Sequence, residues 1–186
     1  SGRLWSWGDD LKGQTGSATE TTRNIPAVVA NLAASNQVAA GDSHSLALLR
    51  DGTVFGWGDN FGGAVGSGTS GVRTAPEMVV GLVNIRQISA AKASSAAIDA
   101  AGVLWTWGDN SRGQLARPLS EGSIDRPARA QNVPALSQVA LGGGHTVGLD
   151  GAGKLWAWGD NREGQLGLGA TAPSGPAPQA VTALAD

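Results

Sequence analysis

Four phrases of one design, WSWGDD at 5–10, FGWGDN at 55–60, WTWGDN at 105–110 and WAWGDN at 156–161, return about every 50 residues. A fixed period of this length marks a repeat architecture, in which each unit buries its apolar faces only against its neighbours. It also moves the search for function away from one cluster of reactive side chains and toward whatever differs between copies. The units run over about 1–50, 51–100, 101–150 and 151–186, the last incomplete, within a single segment spanning 1–186.

The runs leading into Trp7, Trp57, Trp107 and Trp158 alternate with period two, which predicts strands. Trp5 and Trp7, Phe55 and Trp57, Trp105 and Trp107, and Trp156 and Trp158 then share one face of their strands. Leu4/Ser6, Val54/Gly56, Leu104/Thr106 and Leu155/Ala157 take the other face. Neither face is polar, so both must be covered. Radially stacked sheets achieve this by pressing the bulky face of one blade into the slimmer face of the next, and the aromatic residues are assigned to that packing. Upstream, VAAGDSHSLAL at 38–48, ISAAKASSAAI at 88–98 and VALGGGHTVGL at 139–149 read as strands. Tight turns at 50–52, 100–102 and 151–153 join them to the tryptophan strands as antiparallel hairpins. The loops entering the first strand of each hairpin, Asp42-Ser43, Lys92-Ala93 and Gly143-Gly144, should therefore lie at the same end as the Gly-Asp loops. A third phrase at Pro26–Val29, Pro76–Val79, Pro127–Ala130 and Pro178–Val181 predicts an edge strand that starts at its proline.

Taken together, W-G-x-N-x-x-G-Q-L-G, P-x-x-V and V-x-x-G-x-x-H-[ST]-x-A-L resemble the repeat of the regulator of chromosome condensation (RCC1) family, most clearly in WGDNREGQLGLG at 158–169. Ala64 departs from the pattern where Gln14, Gln114 and Gln165 stand, and Ser94 departs from His44 and His145. The resemblance covers nearly the whole chain and implies an all-β fold, a seven-bladed β-propeller. At about 50 residues per blade a full ring needs roughly 350 residues, so this chain is expected to form about four blades, half of a ring. Four tryptophan strands are matched by only three V-x-x-G-x-x-H strands. Ser1 aligns with the start of a second strand, and Asp186 stops where a further V-x-x-G segment would begin. The chain is read as a piece of a longer protein or as an arc completed by another chain, the alternative being a closed four-bladed ring. Apolar end faces predict self-association or additional blades.

Composition excludes several function classes. The formal charge is −2 and no basic stripe is present, which argues against nucleic acid. No segment approaches the roughly 20 apolar residues of a membrane helix, so the chain is expected to be soluble without membrane insertion, and Ser1-Gly2-Arg3 opens no signal-peptide pattern. The absence of cysteine rules out disulfides, thiolate catalysis and cysteine-bound zinc. Arginine over lysine and abundant alanine point to a bacterial source of high genomic GC, with a secreted or cell-surface location favoured over the cytoplasm.

Asp9, Asp59, Asp109 and Asp160 follow glycine and suit Asx turns; none continues as a calcium loop. His44 and His145 occupy equivalent positions in different repeats, where they cannot converge on one ion or substrate, and each is assigned a hydrogen bond within its own blade. The glycines at 142–144 read as a tight strand entry. No catalytic residue, cofactor or metal is expected, and the chain is not read as an enzyme. The variable positions Leu11, Lys12, Phe61, Ser111, Arg112, Arg162 and Glu163, with Asp42 and Lys92, form a candidate partner-binding rim. Within the family, some members exchange guanine nucleotides on small GTPases, some bind chromatin, and one bacterial group inhibits β-lactamases through aromatic rim residues. Exchange in the family depends on a protruding wedge, which the long loops at 66–73 and 116–125 do not match. The resemblance thus implies a non-catalytic protein-interaction module with a protein partner, the alternatives being an exchange-factor-like regulator and a purely structural repeat of a larger or oligomeric surface protein.

Overall fold

The computed structural model describes residues 2–169 and 175–182, so Ser1 and Asp186 lie outside the described residues. Strands β1 (Trp5–Gly8) and β2 (Arg23–Val28) form a two-stranded sheet, the first blade. The second blade holds β3 (Ser35–Ala40), β4 (His44–Leu49), β5 (Val54–Gly58) and β6 (Arg73–Met78) in sequence order. The third holds β7 (Ile85–Ala91), β8 (Ser94–Asp99), β9 (Leu104–Gly108) and β10 (Ile124–Arg129). The fourth holds β11 (Leu136–Leu141), β12 (His145–Asp150), β13 (Leu155–Gly159) and β14 (Gly175–Ala180). Every pairing is antiparallel, and the helical element among the described residues is a single 3-10 turn at Leu119–Glu121.

Two sequence expectations are corrected here. The phrase at 38–48 is two strands, β3 and β4, folded back on each other around Gly41–Ser43, and its counterparts at 88–98 and 139–149 fold the same way. In the second and fourth blades the Gly41 amide closes the turn onto the His44 carbonyl at 2.9 Å, and Gly142 onto His145 at 2.8 Å. The prolines stand fourth in β2, β6, β10 and β14, where the register slips against the tryptophan strand, rather than first. These strands pair on one side only, so the missing amide of proline costs no ladder bond.

The core lies between blades. Leu46, Leu48 and Val54 of the second blade bury Ile85, Ile88 and Trp107 of the third. Ile98 and Leu104 of the third likewise bury Leu136, Val139 and Trp158 of the fourth. Hydrogen bonds fix the same junctions. Trp57 Nε1 donates to the Gln14 carbonyl (2.8 Å), Trp107 to Ala64 (2.8 Å) and Trp158 to Gln114 (2.9 Å), each reaching into the preceding blade. The same three carbonyls accept the hydroxyls of Ser45, Ser95 and Thr146 at 2.9, 2.7 and 2.7 Å. Near the inner edge, the Gln37 amide donates to the Ile88 carbonyl and accepts the Ile88 N–H, and Gln87 repeats this with Val139.

Not every aromatic residue is sealed within a junction. Trp105 and Trp156 are half-buried; each packs against the core of its blade junction and also donates to Asp99 or Asp150, at 3.1 and 3.0 Å within its own hairpin. Phe55 is half-buried as well. Trp5 and Trp7 are 50 % and 62 % exposed, because β1 pairs with β2 alone and no described strand covers their face.

Glycine is required at two recurrent points. Gly58 adopts φ +104°, and a Cβ there would lie 2.4 Å from the Ser43 carbonyl oxygen. A Cβ on Gly142 would lie 2.3 Å from His145 Cε1, whereas the third blade pairs Ala91 with Ser94 and carries no ring at that place. Gly142→Ala should therefore cost about 1–3 kcal/mol in urea unfolding. Gly142→Ala with His145→Ser, the combination of the third blade, should recover most of that loss; a strictly additive double variant would contradict the steric account. Trp57→Ala should cost about 3–5 kcal/mol by the same measurement, since it opens a cavity and empties the bond to Gln14.

A candidate partner-binding rim

The loop after each tryptophan strand is held by two side chains. The first Asp accepts the amide two residues on: Asp9 from Leu11 (3.2 Å), Asp59 from Phe61 (3.0 Å), Asp109 from Ser111 (2.9 Å) and Asp160 from Arg162 (3.2 Å). These are Asx turns. The next residue is buried and accepts the amide five residues on: Asp10 from Thr15, Asn60 from Val65, Asn110 from Leu115 and Asn161 from Leu166, at 2.8 to 3.1 Å. Backbone bonds then tie each loop to the adjoining turn of its blade, Asp59 N to Ser43 O (2.8 Å), Asp109 N to Ala93 O (2.9 Å) and Asp160 N to Gly144 O (2.8 Å). Both loop sets thus sit at one end of the blades.

What projects from this frame is the set of variable positions. Leu11 is 65 % and Phe61 71 % exposed; Lys12, Ser111, Arg162 and Glu163 are exposed, and Arg112 is half-buried. Several meet across blade junctions. Lys12 Nζ stands 5.8 Å from the centre of the Phe61 ring, joining the first and second blades. Asp42, Asp59, Phe61 and Lys92 line one cavity of about 290 Å³ between the second and third blades. The Arg112 side chain lies against Gly144 of the fourth blade, beside Asp160, which holds the Arg162 guanidinium at 2.7 Å. That carboxylate raises the Arg162 pKa. Leu11, Ser111 and Glu163 make no cross-blade side-chain bond among the described residues.

His44 differs from its sequence assignment. Its Nε2 lies 2.9 Å from Ser95 Oγ in the third blade, so the contact spans blades rather than staying within one. The Ser95 hydroxyl in turn donates to the Ala64 carbonyl. Burial lowers the His44 pKa to about 4, against the raising effects of the Lys92 carbonyl and of the Asp59 and Asp42 carboxylates. Sequence reasoning missed this link and the glutamine bonds of Gln37 and Gln87; the recurrence of Gln37, Gln87 and Gln138 at one repeat position was their only signal. Among the described residues no three His, Asp or Glu side chains are grouped to hold a metal, and no helix is long and apolar enough to cross a membrane.

Because the fold holds His44 neutral while an unfolded histidine titrates near 6.5, the unfolded chain binds the extra proton as pH falls. This contribution to stability is fully present above about pH 6.5 and is lost toward pH 4, a change of about 3 kcal/mol. Urea midpoints at pH 7 and pH 4.5 should fall less in His44→Asn than in the parent chain; equal falls would remove His44 as the cause.

The repeat profile described as "Regulator of chromosome condensation (RCC1) repeat" matches residues 1–48, 51–98, 101–149 and 152–186, and a second profile of the same description matches 36–64 and 136–165. The chain is 39 % identical over 67 residues to the human probable E3 ubiquitin-protein ligase HERC3, a stretch covering 35 % of this chain and 6 % of that protein. Yeast RCC1 (Prp20), solved bound to Kap60, superposes with a TM-score of 0.85 at 23 % identity over 97 % of this chain and 45 % of its own. Human WBSCR16 superposes with a TM-score of 0.85 at 25 % identity over 95 % of this chain and 46 % of its own. The chain therefore spans about half the length of the propellers it matches, an arc rather than a closed four-bladed ring.

Proposed function

From the premise that the chain belongs to the RCC1 repeat family, we propose that it is a non-catalytic protein-interaction module that binds a protein partner through the rim of its Gly-Asp loops. The observation that carries this reading is the contrast inside each loop. The frame residues repeat almost unchanged, and the second acidic or amide position, Asp10, Asn60, Asn110 and Asn161, is buried in all four loops, while the two intervening positions are mostly exposed and chemically unlike from blade to blade. A solvated turn has no need of Phe61 at 71 % exposure, and an exposed aromatic with Lys12 beside it and Arg112 farther along the same rim has the composition of an interface. The formal charge of −2 supports a protein rather than a nucleic acid as the partner. The arc itself is completed by further blades, in the same chain or from a second copy, which a light-scattering mass of the 186-residue chain distinguishes.

Phe61→Ala combined with Arg112→Ala should weaken capture of a protein partner by at least about tenfold while leaving the urea midpoint unchanged. Capture that is indifferent to both substitutions would favour a purely structural repeat. Acceleration of nucleotide release from a small GTPase at sub-stoichiometric levels would replace passive binding by exchange activity.

A further inference from the structure

Asp59 is the odd member of its set of four. In the other three loops a side-chain nitrogen sits on the equivalent carboxylate. Gln14 Nε2 donates to Asp9 at 3.0 Å and Gln114 Nε2 to Asp109 at 3.0 Å, while Arg162 donates to Asp160 through Nε and Nη2 at 3.0 and 2.7 Å. Asp59 accepts the Phe61 amide and no side-chain bond among the described residues. The cause is Ala64, which stands where the other loops carry glutamine. His44 does not fill the space left by the glutamine but lines it. What remains is the cavity of about 290 Å³, open at the rim and walled by Asp42, Asp59, Phe61, Ala64 and Lys92 over His44. It is sized for one side chain rather than for a cofactor.

We propose that this cavity is a socket for an arginine side chain of the protein partner, a proposal that rests on the rim reading above. The chain supplies its own precedent, because the equivalent carboxylate in the fourth blade already holds a guanidinium. A guanidinium in the socket replaces the missing amide donor on Asp59 with two parallel N–H groups, and its plane and stem lie against the exposed Phe61 ring. Two carboxylates, Asp42 and Asp59, face one cation, Lys92, which is exposed and anchors its turn through its carbonyl to Asp42 N at 3.0 Å. Lysine fits less well, since its ammonium offers no planar fork to the Asp59 carboxylate.

The test is an NMR titration of the ¹⁵N-labelled chain with N-acetyl-arginine amide, and in parallel with its uncharged isostere N-acetyl-citrulline amide. Saturable shifts at the Phe61, Gly62, Lys92 and Ala93 amides are expected, at least about tenfold weaker for citrulline. Ala64→Gln rebuilds the donor of the other loops and should abolish the shifts without lowering the urea midpoint; Asp59→Asn should also abolish them. Absence of saturation at about 100 mM, equal binding of citrulline, or equal binding to Ala64→Gln overturns the socket. The two readings fail separately. Partner capture that survives Ala64→Gln but is lost in Phe61→Ala with Arg112→Ala removes the socket and keeps the rim. Capture indifferent to all of them removes both as a partner site.

Discussion

The blade junctions depend on one kind of atom, the carbonyl oxygen of Gln14, Ala64 or Gln114, which takes an indole N–H and a hydroxyl from the following blade. A carbonyl has two lone pairs, and both are used. Two donors meeting at one oxygen fix the distance and the tilt between blades at once, which dispersion across an apolar face cannot do alone. This explains why tryptophan recurs rather than phenylalanine: only an indole both fills the junction and carries a donor at its far end. It also explains why serine or threonine follows the histidine position, where any larger side chain would hold the carbonyl away from the indole.

The carbonyl must itself be held still, and that is the work of the Gly-Asp loop. Asp10, Asn60 and Asn110 bond the amide immediately after the carbonyl, and the Asx turn fixes the other end of the loop. A loop whose motif invites a reading as a recognition or metal site is thus first a bracket for the next blade. Its two intervening residues are free of that duty, which is why they can vary while the blade spacing stays constant. Structure and candidate function divide the loop between them residue by residue.

The repeat period, the tryptophan strands and the Asx turns were legible because each is written as a local pattern. The loop at Asp42-Ser43 was legible too, but the strand before it, β3, was not separated from β4, since Gly41–Ser43 interrupts an alternating run without breaking its apparent period. The proline position was misjudged because edge pairing, rather than strand entry, is what tolerates the missing donor. His44 and the Gln37 and Gln87 bonds stayed hidden for a different reason. Their partners, Ser95, Ile88 and Val139, lie in the next blade, and hydropathy carries no record of which backbone a polar side chain will meet. On the rim, the variable positions could be named from sequence, but the cavity could not, because its walls come from two blades.

Departures from the repeat therefore need sorting by whether the fold has answered them. Ser94 in place of histidine is answered: Ala91 replaces the glycine beneath it, Ser94 Oγ donates to the Asp109 carbonyl at 2.9 Å, and Gln114 approaches the same hydroxyl at 3.4 Å. That blade has exchanged one satisfied arrangement for another, and its surface is unchanged in kind. Ala64 has no such answer. Among the described residues the lost amide leaves Asp59 with a backbone hydrogen-bond partner only and no neighbouring side chain bonds to it, and the space opens to the rim beside the exposed Phe61 ring. A compensated substitution is what drift under a stability constraint produces, whereas an uncompensated carboxylate in an open cavity is a feature whose partner is to be sought outside the arc.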